Sequence, residues 1–187
     1  GEHIGGSPFP HVAVDNVAAA RAATQHLVGG GRRRIAAIGA QPGPNRETAD
    51  LRLRGYRLAL EDAGIPFDER LVCTVDEFIR RDGAAAADRL IAEGVEVDAV
   101  FAFNDLLAFG ALHTFASHGV RVPDDVAVIG FDDTEEARYS APPLSSVSPD
   151  TEAIAATALD LLLQDDPPTP PETEMTIPFD IVKRAST

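Results

Sequence analysis

Short apolar runs alternate with longer segments of helical period through most of the chain. The runs at 34–39 (RIAAIG), 71–75 (LVCTV), 99–103 (AVFAF) and 126–131 (VAVIGF) are five or six residues long, with turn-forming residues around them. Runs of this kind read as strands buried on both faces of a parallel sheet. Between them lie helical segments at 17–28, 82–93 and 105–118, and one that opens at Asn45 or Thr48 and runs to Ala63. Each ends at a glycine: Gly29, Gly94, Gly119 and Gly64. Weak alternation at 11–14 adds a first strand, with Asp15 or Asn16 as the N-cap of the helix after it. Asp82 is placed to cap the third helix. Alternating strand and helix with short links predicts an α/β fold, a doubly wound parallel sheet with helices on both faces.

The stretch 122–147, VPDDVAVIGFDDTEEARYSAPPLSSV, is the most informative. Pro123-Asp124-Asp125 is turn chemistry. At the end of the apolar run Gly130 lets the backbone bend, and Asp132 and Asp133 follow. Ligands of open α/β sheets collect beyond the carboxyl ends of the strands, where this acidic pair stands. A short polar helix is expected at 134–138, and Pro142-Pro143 separates it from an extended piece at 144–147. Beyond that the pattern changes. Residues 150–163 are amphipathic, 165–174 (DDPPTPPETE) is a proline-rich acidic loop, and 176–182 is an extended stretch interrupted by Pro178, suited to an edge strand or a crossover.

Composition narrows the function. The chain has 187 residues, 44% hydrophobic and 25% charged, which suits one or two ordinary globular domains. No apolar stretch is long enough to span a membrane, and residues 1–30 lack a signal-peptide pattern. Thirty acidic against 16 basic residues give a net charge of −14. Such a surface repels phosphate backbones, so this chain by itself is not expected to bind DNA. Cys73, the single cysteine, excludes an internal disulfide and any multi-cysteine metal site. Residues 39–45 (GAQPGPN) lack the lysine and hydroxyl of a phosphate-binding loop, and no dinucleotide or nucleophile-elbow motif occurs. His113 and His118 lie five apart, off the spacing that puts two metal ligands on one helical face. Neither an enzyme, a cofactor nor a metal is indicated.

The run VPDDVAVIGFDD, followed by APPLSSV, resembles the effector-binding core of the LacI/GalR-type transcriptional regulators, and the resemblance covers nearly all of the chain. It implies a bilobed periplasmic-binding-protein-like (type I) effector domain. Residues 1–14 would be a crossover strand from an N-terminal lobe, and 15–148 the C-terminal lobe. Residues 149–178 would belong to the N-terminal lobe, and 179–187 would return to the C-terminal one. Crossings are expected at 12–16, 144–149 and 177–180. Most of the N-terminal lobe and the helix-turn-helix would lie outside this chain. The resemblance further implies a cytoplasmic repressor or activator, homodimeric through helices 81–91 and 105–118. It would bind operator DNA only through the missing domain. Its small-molecule effector would be a sugar or similar polyol, or a nucleobase, whose binding closes the lobes and alters operator affinity. A secreted sugar-binding receptor of a transport system, with the same bilobed fold, is the alternative.

Four residues are the expected ligand contacts. Arg52, in LRLRGY, can clamp hydroxyls or a carboxylate with its forked donors; by spacing alone it could equally be one charge of a solvated face with Arg54 and Arg57. The resemblance makes it an effector contact. Asn104, at the carboxyl end of 99–103, offers donor and acceptor to a hydroxylated ligand. Either Asn104 or Asp105 must cap the next helix, and the resemblance assigns the ligand to Asn104 and the cap to Asp105. Asp132 matches the family's ligand carboxylate, with Asp133 structural. Phe78 matches a cleft-lining aromatic, though ordinary core packing is also open to it. Pro149 stands where relatives carry a ligand-reaching glutamine, so a relative's effector preference does not transfer directly.

Overall fold

The computed structural model describes residues 11–43, 46–163 and 174–187. Its elements run β1 (His11–Val14), α1 (Asn16–Gly29), β2 (Ile35–Ala40), α2 (Glu47–Asp62), β3 (Val72–Thr74), α3 (Arg80–Ala92), β4 (Ala99–Ala102), α4 (Asp105–Ser117), β5 (Ala127–Phe131), β6 (Ser145–Pro149), α5 (Thr151–Leu162), β7 (Glu174–Ile177) and β8 (Phe179–Val182). Short turns of 3-10 helix stand at Glu69–Leu71 and Glu135–Arg138.

The main sheet has the order β3-β2-β4-β5-β6-β8. Its first five strands are parallel, and β8 pairs antiparallel with β6, Val147 opposite Ile181. The parallel sheet expected from the pattern is therefore completed by one antiparallel edge strand, formed where Pro178 ends β7. β1 and β7 pair in parallel as a separate two-stranded sheet, Val12 opposite Met175. The sequence after β2 first moves outward to β3 and then returns to β4 on the other side of β2. That reversal opens a crevice at the carboxyl ends of β2 and β4.

Strands β2, β4 and β5 are buried along their whole length, which explains their unbroken apolar runs. Helices α1 and α2 pack together, as do α3 and α4. Both pairs approach closely through glycine. A Cβ at Gly55 would strike Val17 O, one at Gly83 would strike Leu107 O, and one at Gly110 would strike Arg80 O. Helix α4 buries Leu107, Ala108, Ala111, Leu112 and Phe115, as a helix apolar around most of its circumference must. Helix α5 has no buried residue, and Leu159, Leu162 and Leu163 are exposed.

Helix starts differ from expectation in three places. Arg46, not Thr48, occupies the N-cap of α2 and makes no side-chain cap bond; the other candidate, Asn45, lies outside the described residues. Ile79 holds the N-cap of α3, without a side-chain cap. Asp82 sits inside the first turn and reaches back to accept from the Asp76 and Glu77 amides at 3.2 and 2.8 Å. Its carboxylate ties down the approaching loop, and those bonds hold its pKa below the usual range. The cap of α4 belongs to Asn104, a change that bears on the site. The acidic loop expected at 165–174 lies outside the described residues apart from Glu174, the first residue of β7.

Candidate functional site

Arg52 projects from α2 into the crevice between β2 and β4. Its side chain is almost wholly buried, with 6% of the residue exposed. Most of the guanidinium is committed. Nε donates to Asn16 Oδ1 at 2.9 Å, and Nη1 donates to the Phe103 carbonyl. The Phe131 ring lies under the plane, with Cζ 3.5 Å from its centroid, a cation–π stack. Nη2 is left facing Asp132, 4.0 Å from Oδ1. Asn16 is oriented in turn by its own Nδ2 donating to Val14 O at 3.3 Å. Burial depresses the Arg52 pKa to about 10, against the pull of Asp132 and Asp105. The group stays a cation at neutral pH.

Asp132 caps the carboxyl end of β5, and its side chain is 44% exposed. Its backbone has φ 109, and Asp133 follows at φ 50. Residues with side chains rarely adopt these conformations, at about 1–3 kcal/mol each, and they mark places where the surroundings hold the chain. Burial raises the Asp132 carboxyl, opposed by Arg52. Asp133 turns away from the crevice, its carboxylate 2.6 Å from Arg184 Nη2. Arg184 also donates to Leu144 O.

The expected roles of Asn104 and Asp105 are exchanged as to the cap. Asn104 Oδ1 accepts from the Leu107 amide at 2.9 Å, and Nδ2 donates to Phe78 O at 3.2 Å. Asn104 is thus the N-cap of α4, and a ligand can use only what that leaves, one amide hydrogen and a second lone pair. Asp105 is fully buried instead. It accepts from Ser146 Oγ at 2.6 Å and from Thr134 N and Oγ1 at 2.7 and 3.1 Å. Burial lifts its pKa to about 6.

Phe78 is half-buried and packs edge-on to Phe103, with ring centroids 6.5 Å apart. Its carbonyl is the group fixed by Asn104. Arg52, Asp132, Asn104 and Phe78 therefore gather around the ends of β4 and β5, joined through Phe103 and Phe131. Asn16 and Asp105 are the participants that sequence reasoning missed. Asn16 was visible only as a helix-cap candidate, and nothing local signals its long-range bond to Arg52. Asparagine and aspartate stand side by side at 104 and 105 where either could cap, so local sequence does not separate the cap from the buried acid.

The arrangement offers a fixed, buried cation stacked on an aromatic ring beside a half-open carboxylate. Donor and acceptor at this separation suit adjacent hydroxyls, and an aromatic face suits the C–H side of a sugar ring or a flat base. Among the described residues, no cluster of three or more His, Cys, Asp or Glu could hold a metal, and no helix is long and apolar enough to cross a membrane.

The model of the periplasmic binding protein-like domain matches residues 24–187. The HTH-type transcriptional regulator CelR of Thermobifida fusca is 42% identical over 154 residues, covering 82% of this chain and 44% of that protein. The chain thus spans less than half the length of this curated relative. A solved LacI-family putative regulator from Sanguibacter keddieii is 44% identical, with a TM-score of 0.89 over 100% of this chain and 70% of that one. A CelR–cellobiose complex superposes with a TM-score of 0.88 at 35% identity, covering 100% of this chain and 57% of its counterpart.

Proposed function

The chain belongs to the LacI family of transcriptional regulators, as part of their periplasmic-binding-protein-like effector domain, and from that premise we propose that Arg52, Asp132, Asn104 and Phe78 bind a sugar effector. The observation that carries the reading is the Arg52 guanidinium, buried and fixed on three sides, with its free edge toward Asp132. Burying a cation is costly without a use for it. Here the burial pre-orients two donors beside an open acceptor, so a diol loses little freedom in docking. The likeness to a regulator solved with cellobiose supports a β-linked disaccharide as the first ligand to try.

In the complete protein, effector binding would be coupled to operator DNA through the helix-turn-helix outside this chain. A ligand shifts such an equilibrium only by its differential affinity for the two states. Dimerisation would use the outer surfaces of α3 and α4. An open groove of about 650 Å³ there is lined by Arg80, Phe109, Leu112 and His113, and by Tyr139 from the segment after β5. Tyr139 is 78% exposed, an apolar ring suited to a partner subunit.

The test is calorimetric titration of the complete protein with cellobiose, ribose and guanine in parallel. Cellobiose binding that also changes operator affinity is the expected result. Binding of guanine alone would replace the sugar with a base, stacked on the same aromatic rings.

A further inference from the structure

Asp105 is an acid beside the crevice that the proposed contact set does not use. It is fully buried and cannot itself reach a ligand in the crevice. Its surroundings nevertheless converge on one short segment, the turn at residues 132–134. Asp132 N donates to Val147 O at 2.9 Å. The next amide, Asp133 N, donates to Ser146 Oγ at 3.0 Å, and that hydroxyl donates onward to Asp105 Oδ1 at 2.6 Å. The third amide, Thr134 N, donates to Asp105 Oδ2 at 2.7 Å, joined by Thr134 Oγ1 at 3.1 Å. Two of three successive amides therefore end on one carboxylate, directly or through a hydroxyl. They span the two residues with positive φ, the conformations that must be held from outside.

We infer that Asp105 is a positioning residue for the effector site: by fixing the turn at 132–134 through Thr134 and Ser146, it sets where the Asp132 carboxylate stands before Arg52. The inference rests on reading the crevice as the effector site. Chain and carboxylate are fitted to each other at Gly130, where a Cβ would collide with Asp105 Oδ1. Among the described residues, the charged groups facing Asp105 are Arg52 from α2 and Asp132 from the end of β5. The Asp133–Arg184 pair closes the turn from its far side. A neutral residue could not accept all three bonds: an asparagine would present a donor NH₂ to groups that also donate. Retaining an ionisable acid here, where burial raises its pKa to about 6, fits a group needed for its acceptors rather than for stability.

The experiment uses the complete protein, as wild type, Asp105→Asn, Ser146→Ala and Thr134→Ser. Amide and Arg52 Nε–H resonances are followed from pH 5 to 8, and cellobiose affinity is measured over the same range. In wild type the Thr134 amide should titrate with a midpoint near 6, and in Asp105→Asn it should not. Asp105→Asn should shift the Arg52 Nε–H resonance and weaken cellobiose binding about tenfold, the size of one charge-assisted hydrogen bond. Thr134→Ser keeps both donors and should behave as wild type. Should Asp105→Asn fail to fold, Ser146→Ala carries the test, with exchange of the Asp133 amide about tenfold faster and weaker binding. Unchanged affinity and an unchanged Arg52 signal in the folded variants would overturn the inference. If wild type takes no cellobiose, the sugar reading fails by itself; the Arg52 resonance then decides the positioning role, for or against.

Discussion

Arg52 reaches toward Asp132 across 4.0 Å with its guanidinium already spent on Asn16 and Phe103. This spacing exceeds a direct hydrogen bond. The two groups face a common volume without closing it, so ligand oxygens can bridge them. A tighter pair would have to be broken before anything could bind.

Arg52→Lys is therefore expected to behave almost as badly as Arg52→Ala. An ammonium cannot donate to Asn16, Phe103 and a ligand in the fixed fork that a guanidinium provides. We expect effector affinity to fall at least tenfold in both, from the loss of a charge-assisted bond of about 1.5–3 kcal/mol. Operator binding without effector should persist. Titration calorimetry and an operator-binding assay on the same preparations separate the two readouts.

Asp132→Asn keeps the shape of the acceptor and removes its charge. Asparagine tolerates positive φ as aspartate does, and the side chain is partly exposed, so a small effect on stability is expected, about 1 kcal/mol or less. Affinity should drop about tenfold, because a neutral acceptor forms the weaker bond to a hydroxyl. Thermal melts with and without cellobiose check both claims, since the ligand-induced rise in Tm should shrink while the free Tm changes little.

Glycine governs how closely α3 and α4 cross. At Gly83 and Gly110 an added Cβ would meet backbone of the opposite helix, at Leu107 O and Arg80 O. Backbone cannot swing aside as a flexible side chain can. Gly83→Ala and Gly110→Ala should each destabilise by about 1–3 kcal/mol, as overpacking does. Denaturant midpoints measure the effect. The same substitutions should weaken any dimer built on these helices, visible by sedimentation.

The α/β class, the order of strands and helices and the crowding of candidates at strand ends were legible because each follows from local pattern. Buried strands such as 99–103 have to be apolar throughout, and helices must stop where glycine lets them. The antiparallel edge strand β8 was only half legible, since Pro178 announces a break but not a change of partner. Capping was least legible. Asn104 and Asp105 are chemically equivalent as caps, and only the packing of Ser146 and Thr134 around Asp105 decides between them. The bond from Asn16 to Arg52 joins residues 36 apart in sequence, and no local rule foresees it.

Burial of Asp105 makes a prediction about stability that runs opposite to its proposed use. Its pKa in the folded protein, about 6, lies above the ordinary 3.8. Between those values the folded state holds a proton that the unfolded state has released, so stability falls as pH rises through this window. The contribution is fully present below about pH 3.8 and gone above about 6. At ~1.4 kcal/mol for each pH unit it amounts to roughly 3 kcal/mol. Wild type minus Asp105→Asn, compared by urea unfolding at pH 4, 5, 6 and 7, isolates this group from the other carboxylates. We expect the difference to move against wild type as pH rises from 4 to 6 and to be flat from 6 to 7. A difference that stays constant with pH would mean that Asp105 ionises as freely in the fold as out of it, the bonds from Ser146 and Thr134 then offsetting the whole effect of burial.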